Sequence, residues 1–391
     1  ACRGGGGGGG ARGVGARGVG ARGVGGCPNC GGAGCAACGL SAGGWGLLDR
    51  GIEALLPHAG GGWCEPRWFD ISVEAIYLGR DDVSRRVNVM ADGVAGNAPP
   101  NIVLSTDNLV LDDELGFRFT GAIQLGASSN LEFTYFGMVS HAAQAQVTSN
   151  IDNLYSAFSQ FGNAPPPSLG PPVTLGGFTD SDSAEFASIT FSSNFDSIEM
   201  DFRRRWMAPN CRVQGSWLMG VRYFSLEEHF GHSIRVNYTD PNPPNLPIVG
   251  FTDYSVETVN SMTGFQLGGD LWTTMVPGVR VGIEGKSGIY YNRADQSTLI
   301  QASSLAPPTR DELNIDTVAF VAELNLLGVY RFNENFSMKG GYQFLYVDGV
   351  ALATENFNPG PPFVAGGRNS AINHSGDVLY HGLTGGFEWM W

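Results

Sequence analysis

Charge is scarce in this sequence: Asp, Glu, Lys and Arg make up 15% of its 391 residues. No run of about eighteen apolar residues occurs either, so no membrane-spanning helix can be drawn. Histidine is rarer still, with six copies, which leaves little material for imidazole catalysis. Neither a phosphate-binding glycine loop nor a His-Glu-x-x-His zinc-protease signature is present. Base is outnumbered by acid, with a net charge of −14, and that argues against nucleic acid as a partner of the body of the chain. The sequence begins at Ala1 without a methionine or a charged leader, and is read as a mature secreted product.

What is present is glycine, 58 residues of it, and aromatic side chains at 11%. A chain low in charge, rich in glycine and aromatics and lacking apolar helices suits a transmembrane β-barrel, where alternation dilutes the apolar residues. The clearest stretch is the last one, VLYHGLTGGFEWMW, from Val378 to Trp391. At period two, His381, Leu383, Gly385, Phe387, Trp389 and Trp391 face one way, and Gly382, Thr384, Gly386, Glu388 and Met390 the other. An apolar face ending in aromatics on the final residue is how a barrel-closing strand ends in an interfacial girdle. As the edge of a soluble sandwich it would expose three large aromatics on an unpaired strand.

Residues 1–63 form a separate, low-complexity arm: seven consecutive glycines, three copies of ARGVG, then CPNCGGAGCAACG. Glycine buries no apolar surface and loses the most backbone entropy on ordering, so no core forms there. Arg3, Arg12, Arg17 and Arg22 make the arm basic against an acidic body, a plausible docking pair. The cysteines Cys27, Cys30, Cys35 and Cys38 have the spacing C-x2-C-x4-C-x2-C. Disulfides are the favoured reading; zinc ligation by these four thiolates is the weaker one. CPNCGGAG resembles a single repeat of the zinc-binding module of DnaJ-type chaperones, which needs several copies. Trp45, Leu48, Ile52, Leu55 and Leu56 then share one face of a short amphipathic helix ended by Pro57. With Cys2, Cys64 and Cys211 the cysteines total seven, which fits an oxidising compartment and leaves one thiol over. Cys64, before the first strand, and Cys211, at a short turn, are expected at the same barrel end as near neighbours, where a disulfide joins them if their Cα atoms lie within about 7 Å.

Residues 64–391 are read as the barrel: all-β, antiparallel, up-and-down, with about ten strands (alternatively twelve). WFDISVEAIYL opens it, with Phe69, Ile71, Val73, Ala75 and Tyr77 outward and Asp70, Ser72 and Glu74 inward. Tight turns and long loops alternate along the chain, which sorts them to opposite ends, as in outer-membrane barrels. The face expected to line the lumen carries Arg118, Gln124, Glu132, Glu199, Asp201, Arg203, Arg222, Asp270, Arg280, Glu284, Lys286, Glu323, Arg331, Lys339 and Glu388. Mixed charges in so narrow an interior pair across it and give a packed polar core. Glu227, Glu228, His229 and His232 cluster in EEHFGHS, which as a loop reads as solvated surface rather than a metal site. His141 and His381 lie near serines without forming a hydrolase signature.

The WFDISVEAIYLGRD opening, the low-charge paired strands and the aromatic terminus resemble the planctomycete outer-membrane β-barrel family, which occurs as many paralogues. The resemblance covers about Trp68 to Trp391. It implies a surface barrel and carries over no catalytic residue. The expected function is non-enzymatic, without cofactor: a structural or cell-surface barrel in the outer membrane or extracellular surface of a Gram-negative-type bacterium. Its expected partners are other copies, in a filament or lattice formed when the arm inserts into a barrel lumen, and outer-membrane lipid. A porin-like narrow channel, or a monomer plugged by its own arm, is the alternative.

Overall fold

The computed structural model describes residues 70–390, apart from 82, 84–85, 94–99, 127, 164–178, 240–246, 364–367 and 369. The arm lies outside the described residues. With it lie Cys2, Cys27, Cys30, Cys35, Cys38, Cys64, Arg3, Arg12, Arg17, Arg22, the helix expected over 45–56, and any pairing of Cys64 with Cys211.

Thirteen strands are described: β1 (Ile71–Arg80), β2 (Asn88–Asp92), β3 (Asn101–Ser105), β4 (Glu114–Gly126), β5 (Ser129–Thr148), β6 (Leu154–Ser156), β7 (Asp182–Met207), β8 (Val213–Thr239), β9 (Pro247–Val276), β10 (Val279–Ala302), β11 (Leu305–Arg331), β12 (Phe336–Val350) and β13 (Gly376–Trp389). Ten of them close a ring in the order β1, β4, β5, β7, β8, β9, β10, β11, β12, β13 and back to β1, every pair antiparallel. The closing ladder runs from Ile71 opposite Trp389 to Arg80 opposite Tyr380. A row of paired residues followed from Ile71 through Phe133, Met200, Phe265 and Phe320 arrives on β13 at Asp377, twelve residues from Trp389, the β13 partner of Ile71 itself. That stagger is the shear that goes with strands tilted by roughly 40°.

Alternation decides which residues face lipid. Val73, Tyr77, Phe119, Phe133, Met200, Val221, Leu267, Ile283, Leu324, Leu383 and Phe387 all point outward and are exposed. Trp206, Trp217 and Trp389 edge this band at the short-turn end, and Tyr77, Tyr223 and Tyr291 toward the other. Two aromatic girdles around an apolar belt form a membrane-facing surface. Among the described residues no helix is long and apolar enough to cross a membrane; the crossing is made by strands.

A strand needs about ten residues to cross a bilayer, yet β7 to β11 run for 24 to 30 residues each. They rise well past the outer girdle as an extension of the barrel wall. Here the alternation of tight turns and long loops needs correcting: on sequence alone His229–Gly250 reads as a loop with room for a short hairpin of its own, and the stretch through Pro307–Pro308 as another loop. In the structure β8 and β9 pair as far as Thr239 and Pro247, and β10 and β11 as far as Ala302 and Leu305. The reason is physical. Outside lipid the outward positions Glu227, His229, Glu257, Arg293 and Glu312 can be polar, so the apolar half of the alternation weakens while pairing continues. The inward positions Leu226, Phe230, Ile234 and Val236 stay buried. Strands β2, β3 and β6 add to β7 in the order β7, β6, β2, β3 at this outer end. Their Val89, Met90, Leu104 and Leu154 join Phe158, Phe191, Phe230 and Tyr254 in one apolar core above the membrane band.

Candidate functional site

The lumen is the candidate site, and it is layered. At the inner, short-turn end Trp272, Leu327 and Val329 form a small apolar cluster. Arg280 lies beside them in sequence register, buried, at the start of β10.

The next layer is charged. Arg203 donates to Glu132 (2.8 Å), to Glu284 (2.9 Å) and to Asp270, and through Nη1 to Ser216 Oγ (2.9 Å). Arg222 lies 3.4 Å from Glu199 and 3.3 Å from Glu323, and Arg118 also donates to Glu323. Lys286 donates to Glu199 (2.9 Å), and Lys339 to Glu74 (3.0 Å) across the β1–β13 seam. Gln266, which sequence reasoning missed, donates to both Glu199 and Asp201 and keeps those two carboxylates together. The cavity left among Glu74, Arg118, Glu132, Arg203, Glu284, Lys286 and Lys339 is about 20 Å³, room for one water molecule at most.

The residues expected to line the lumen fall as follows. Arg118, Glu132, Glu199, Asp201, Arg203, Arg222, Asp270, Glu284, Lys286, Glu323 and Lys339 belong to this charged layer. Glu388 is buried nearer the inner mouth. Two others stand on the inward face at the inner rim, opposite buried Asn130 and Ser337, outside the charged layer. Gln124 is exposed beside the β4–β5 turn. Arg331 turns its guanidinium to the carbonyls of Asn333 and Glu334 in the β11–β12 turn, because at a strand end the turn carbonyls offer nearer acceptors than the lumen does.

Above the charges lies an apolar septum of Ile76, Leu78, Phe136, Phe195, Phe224, Leu226, Met262, Val321, Leu345, Val347 and Tyr380. Phe195 stacks on Phe224 at 5.5 Å and meets Tyr380 at 4.9 Å. The septum is sealed from above by the chain itself. At Gly349 (φ +80°) β12 turns inward; a Cβ there would lie 2.6 Å from the Val318 carbonyl oxygen, so only glycine fits. Val350, Ala351, Leu352, Ala353 and Thr354 then run fully buried through the barrel. Each step of this plug is held: Ala351 N donates to Asn260 Oδ1 and Asn260 Nδ2 to Ala351 O, both at 2.8 Å. Asn292 Nδ2 donates to Gly349 O at 3.2 Å, and Ala353 N to Glu228 Oε2 at 2.9 Å. Glu228 is in turn paired with Arg80, whose guanidinium lies over the Phe191 and Tyr380 rings. Thr354 Oγ1 donates to Val83 O, and Phe357 and Phe363 enter the outer core around Phe158.

The EEHFGHS residues are divided by the alternation of β8: Glu228 and His232 point in, Glu227 and His229 out. Among the described residues no group of three His, Cys, Asp or Glu side chains could hold a metal ion. His232, well above the membrane band, stacks on Phe158 at 5.9 Å, and burial pushes its pKa down to about 4. His141 is buried beside Tyr380, with Nε2 3.0 Å from the Leu78 carbonyl oxygen. His381 faces outward between Asp81 and Tyr342. Cys211 is buried at the β7–β8 turn and has no disulfide partner among the described residues.

Residues 183–361, from the start of β7 through the plug, match the model of the family "Putative beta barrel porin-7 (BBP7)". No curated protein matches the chain. Among solved structures it is similar to the transport unit of the autotransporter AIDA-I from Escherichia coli, at 8% identity and a TM-score of 0.24, covering 84% of this chain and 92% of that one. It is also similar to the P. putida toluene transporter TodX, at 7% identity and a TM-score of 0.24, covering 86% and 94%. Likenesses this distant carry nothing about what the chain does. The family match and the girdled apolar belt place the chain among outer-membrane β-barrels.

Proposed function

We propose that this outer-membrane barrel is a sealed, non-enzymatic anchor that carries a folded head on the cell surface. The observation that supports this reading is the filling of the lumen: a charged layer whose cavity beside Arg203 and Lys286 measures about 20 Å³, an apolar septum, and the inward-turned segment 350–363 hydrogen-bonded across the bore. A constitutive diffusion channel needs a continuous aqueous path, and a septum of packed aromatic and aliphatic side chains interrupts one. The outward face of the extension is polar, with acids paired to arginines as in Arg235–Asp253, Arg293–Asp295 and Arg310–Glu312, suited to contact with the medium rather than with lipid. The test is solute uptake by liposomes carrying the full chain, where the sealed reading expects the leak of empty liposomes.

A narrow channel is the second reading, favoured by the porin family match. It requires the plug to leave the barrel, breaking its bonds to Asn260, Asn292 and Glu228. Joining of copies through the basic, cysteine-bearing arm is also part of our proposal, in altered form. With the bore filled, a glycine tract has no lumen to enter, so an arm reaching a neighbour would dock at its inner mouth. Disulfide-linked ladders in non-reducing electrophoresis, lost in Cys2→Ser, are the expected sign. A monomer band with and without reductant would remove the covalent joint.

A further inference from the structure

We propose that the inner mouth of the lumen holds a hard metal cation of the calcium class, bound by oxygens of β12, β13 and β1. Across these three strands Ser337, Glu388 and Ser72 occupy one paired row on the inward face. Direct cross-strand neighbours stand about 5 Å apart at Cβ, so the two serines flank Glu388, one on each side. Glu388 is 1% exposed, and neither of its carboxylate oxygens has a hydrogen-bond partner. Ser337, fully buried, has an unpartnered Oγ as well. Ser72 Oγ donates to Glu74 Oε1 and so keeps its lone pairs for another group, while Glu74 Oε2 is buried and unpartnered. The row above is Glu74, Gly386 and Lys339; its central glycine lets the Glu74 side chain lie close against β13, and its cation is already paired with Glu74.

The contrast with the rest of the lumen points to a ligand. On the opposite wall Glu132, Asp270 and Glu284 each receive an Arg203 N–H, so that interior satisfies its acids from its own side chains. A buried carboxylate with two bare oxygens is costly unless something positive meets it. Every candidate donor atom here is oxygen, with no sulfur or imidazole, which selects hard cations over zinc or copper. The several acceptors, supplemented by water, suit the six to eight oxygens that calcium takes.

The experiment uses the full chain in detergent micelles and follows thermal unfolding by the gel-mobility shift between folded and unfolded barrel. It compares EDTA with calcium, with magnesium and with sodium, in the native protein and in Glu388→Gln and Ser337→Ala. Calcium at ten times its dissociation constant should lower the unfolded fraction about tenfold in the native protein. That protection should vanish in Glu388→Gln and weaken in Ser337→Ala. An Asp348→Asn control, outside on β12, should keep it. Equal protection of native protein and Glu388→Gln would overturn the proposal, since calcium would then act on acids of the exterior. So would no protection of the native protein by any of the three cations. Terbium luminescence on the folded barrels gives a readout independent of stability: lost in Glu388→Gln if the site is there, unchanged if it is not.

Discussion

Arg203 is the side chain on which the charged layer turns, and replacing it tests whether that layer is a structural core. It meets Glu132, Asp270 and Glu284 at once and is almost completely buried. Arg203→Ala would leave three carboxylates facing a void the size of the lost side chain, without the cation that joins them. Removing one partner of a buried ion pair costs about 3–5 kcal/mol, because the remaining charge stays desolvated. Glu132 keeps the Asn130 amide and Asp270 keeps the Ser216 hydroxyl as donors, so the lower end of that range is expected. Removing all four charges together, as Arg203→Met with Glu132→Gln, Asp270→Asn and Glu284→Gln, should recover most of the loss, since well-satisfied neutral replacements of a buried network are often close to neutral. Urea unfolding of the barrel in lipid vesicles, followed by tryptophan fluorescence, measures both variants. A loss under about 1 kcal/mol for Arg203→Ala would refute the reasoning, as would a quadruple variant no better than the single one. Either result would mean that the layer is hydrated enough to screen its charges.

Two adjacent glycines of β13 should behave oppositely. A Cβ on Gly386 would lie 2.1 Å from the Val73 carbonyl oxygen, whereas one on Gly385 meets nothing within 4 Å. Gly386→Val should therefore abolish closure of β13 on β1, read as loss of the fast-migrating folded band. Gly385→Ala should be neutral or stabilising by up to about 1 kcal/mol. The head should be acid-sensitive through His232, whose pKa is held near 4 by burial. Its folded pKa lies below the usual value of about 6.5, so unfolded chain binds the proton first. Stability should be unaffected above pH 6.5 and fall by roughly 3 kcal/mol as the pH drops to 4. Proteolysis of the head against pH checks this, and His232→Phe should flatten the curve; an equally steep curve in that variant would assign the effect elsewhere.

How much of this was legible in the sequence depended on what surrounded each strand. Lipid forces outward positions to be apolar, so β1 and β13 announced themselves through Val73, Tyr77, Leu383, Phe387 and Trp389. The inward charges followed from the same alternation, and most of them lie in the charged layer. Beyond the outer girdle that constraint ends. Glu227 and His229 on β8 read as loop, although Phe230 and Ile234 on its other face are buried. The plug was invisible for a different reason. Val350 to Thr354 is a short run of mostly small residues between polar segments, and its burial depends on acceptors and donors contributed by Asn260, Asn292 and Glu228, some 60 to 125 residues away. The one local signal was Gly349, whose positive φ no pattern of hydrophobicity encodes.

Electrical conductance of the purified full chain in a planar bilayer tests the sealed lumen most directly, alongside a variant in which residues 351–363 are replaced by a short Gly-Ser linker. The account predicts a silent native barrel, and at most brief, small openings in the variant, where the charged layer still fills the inner half. Steady ohmic conductance from the native protein would contradict it.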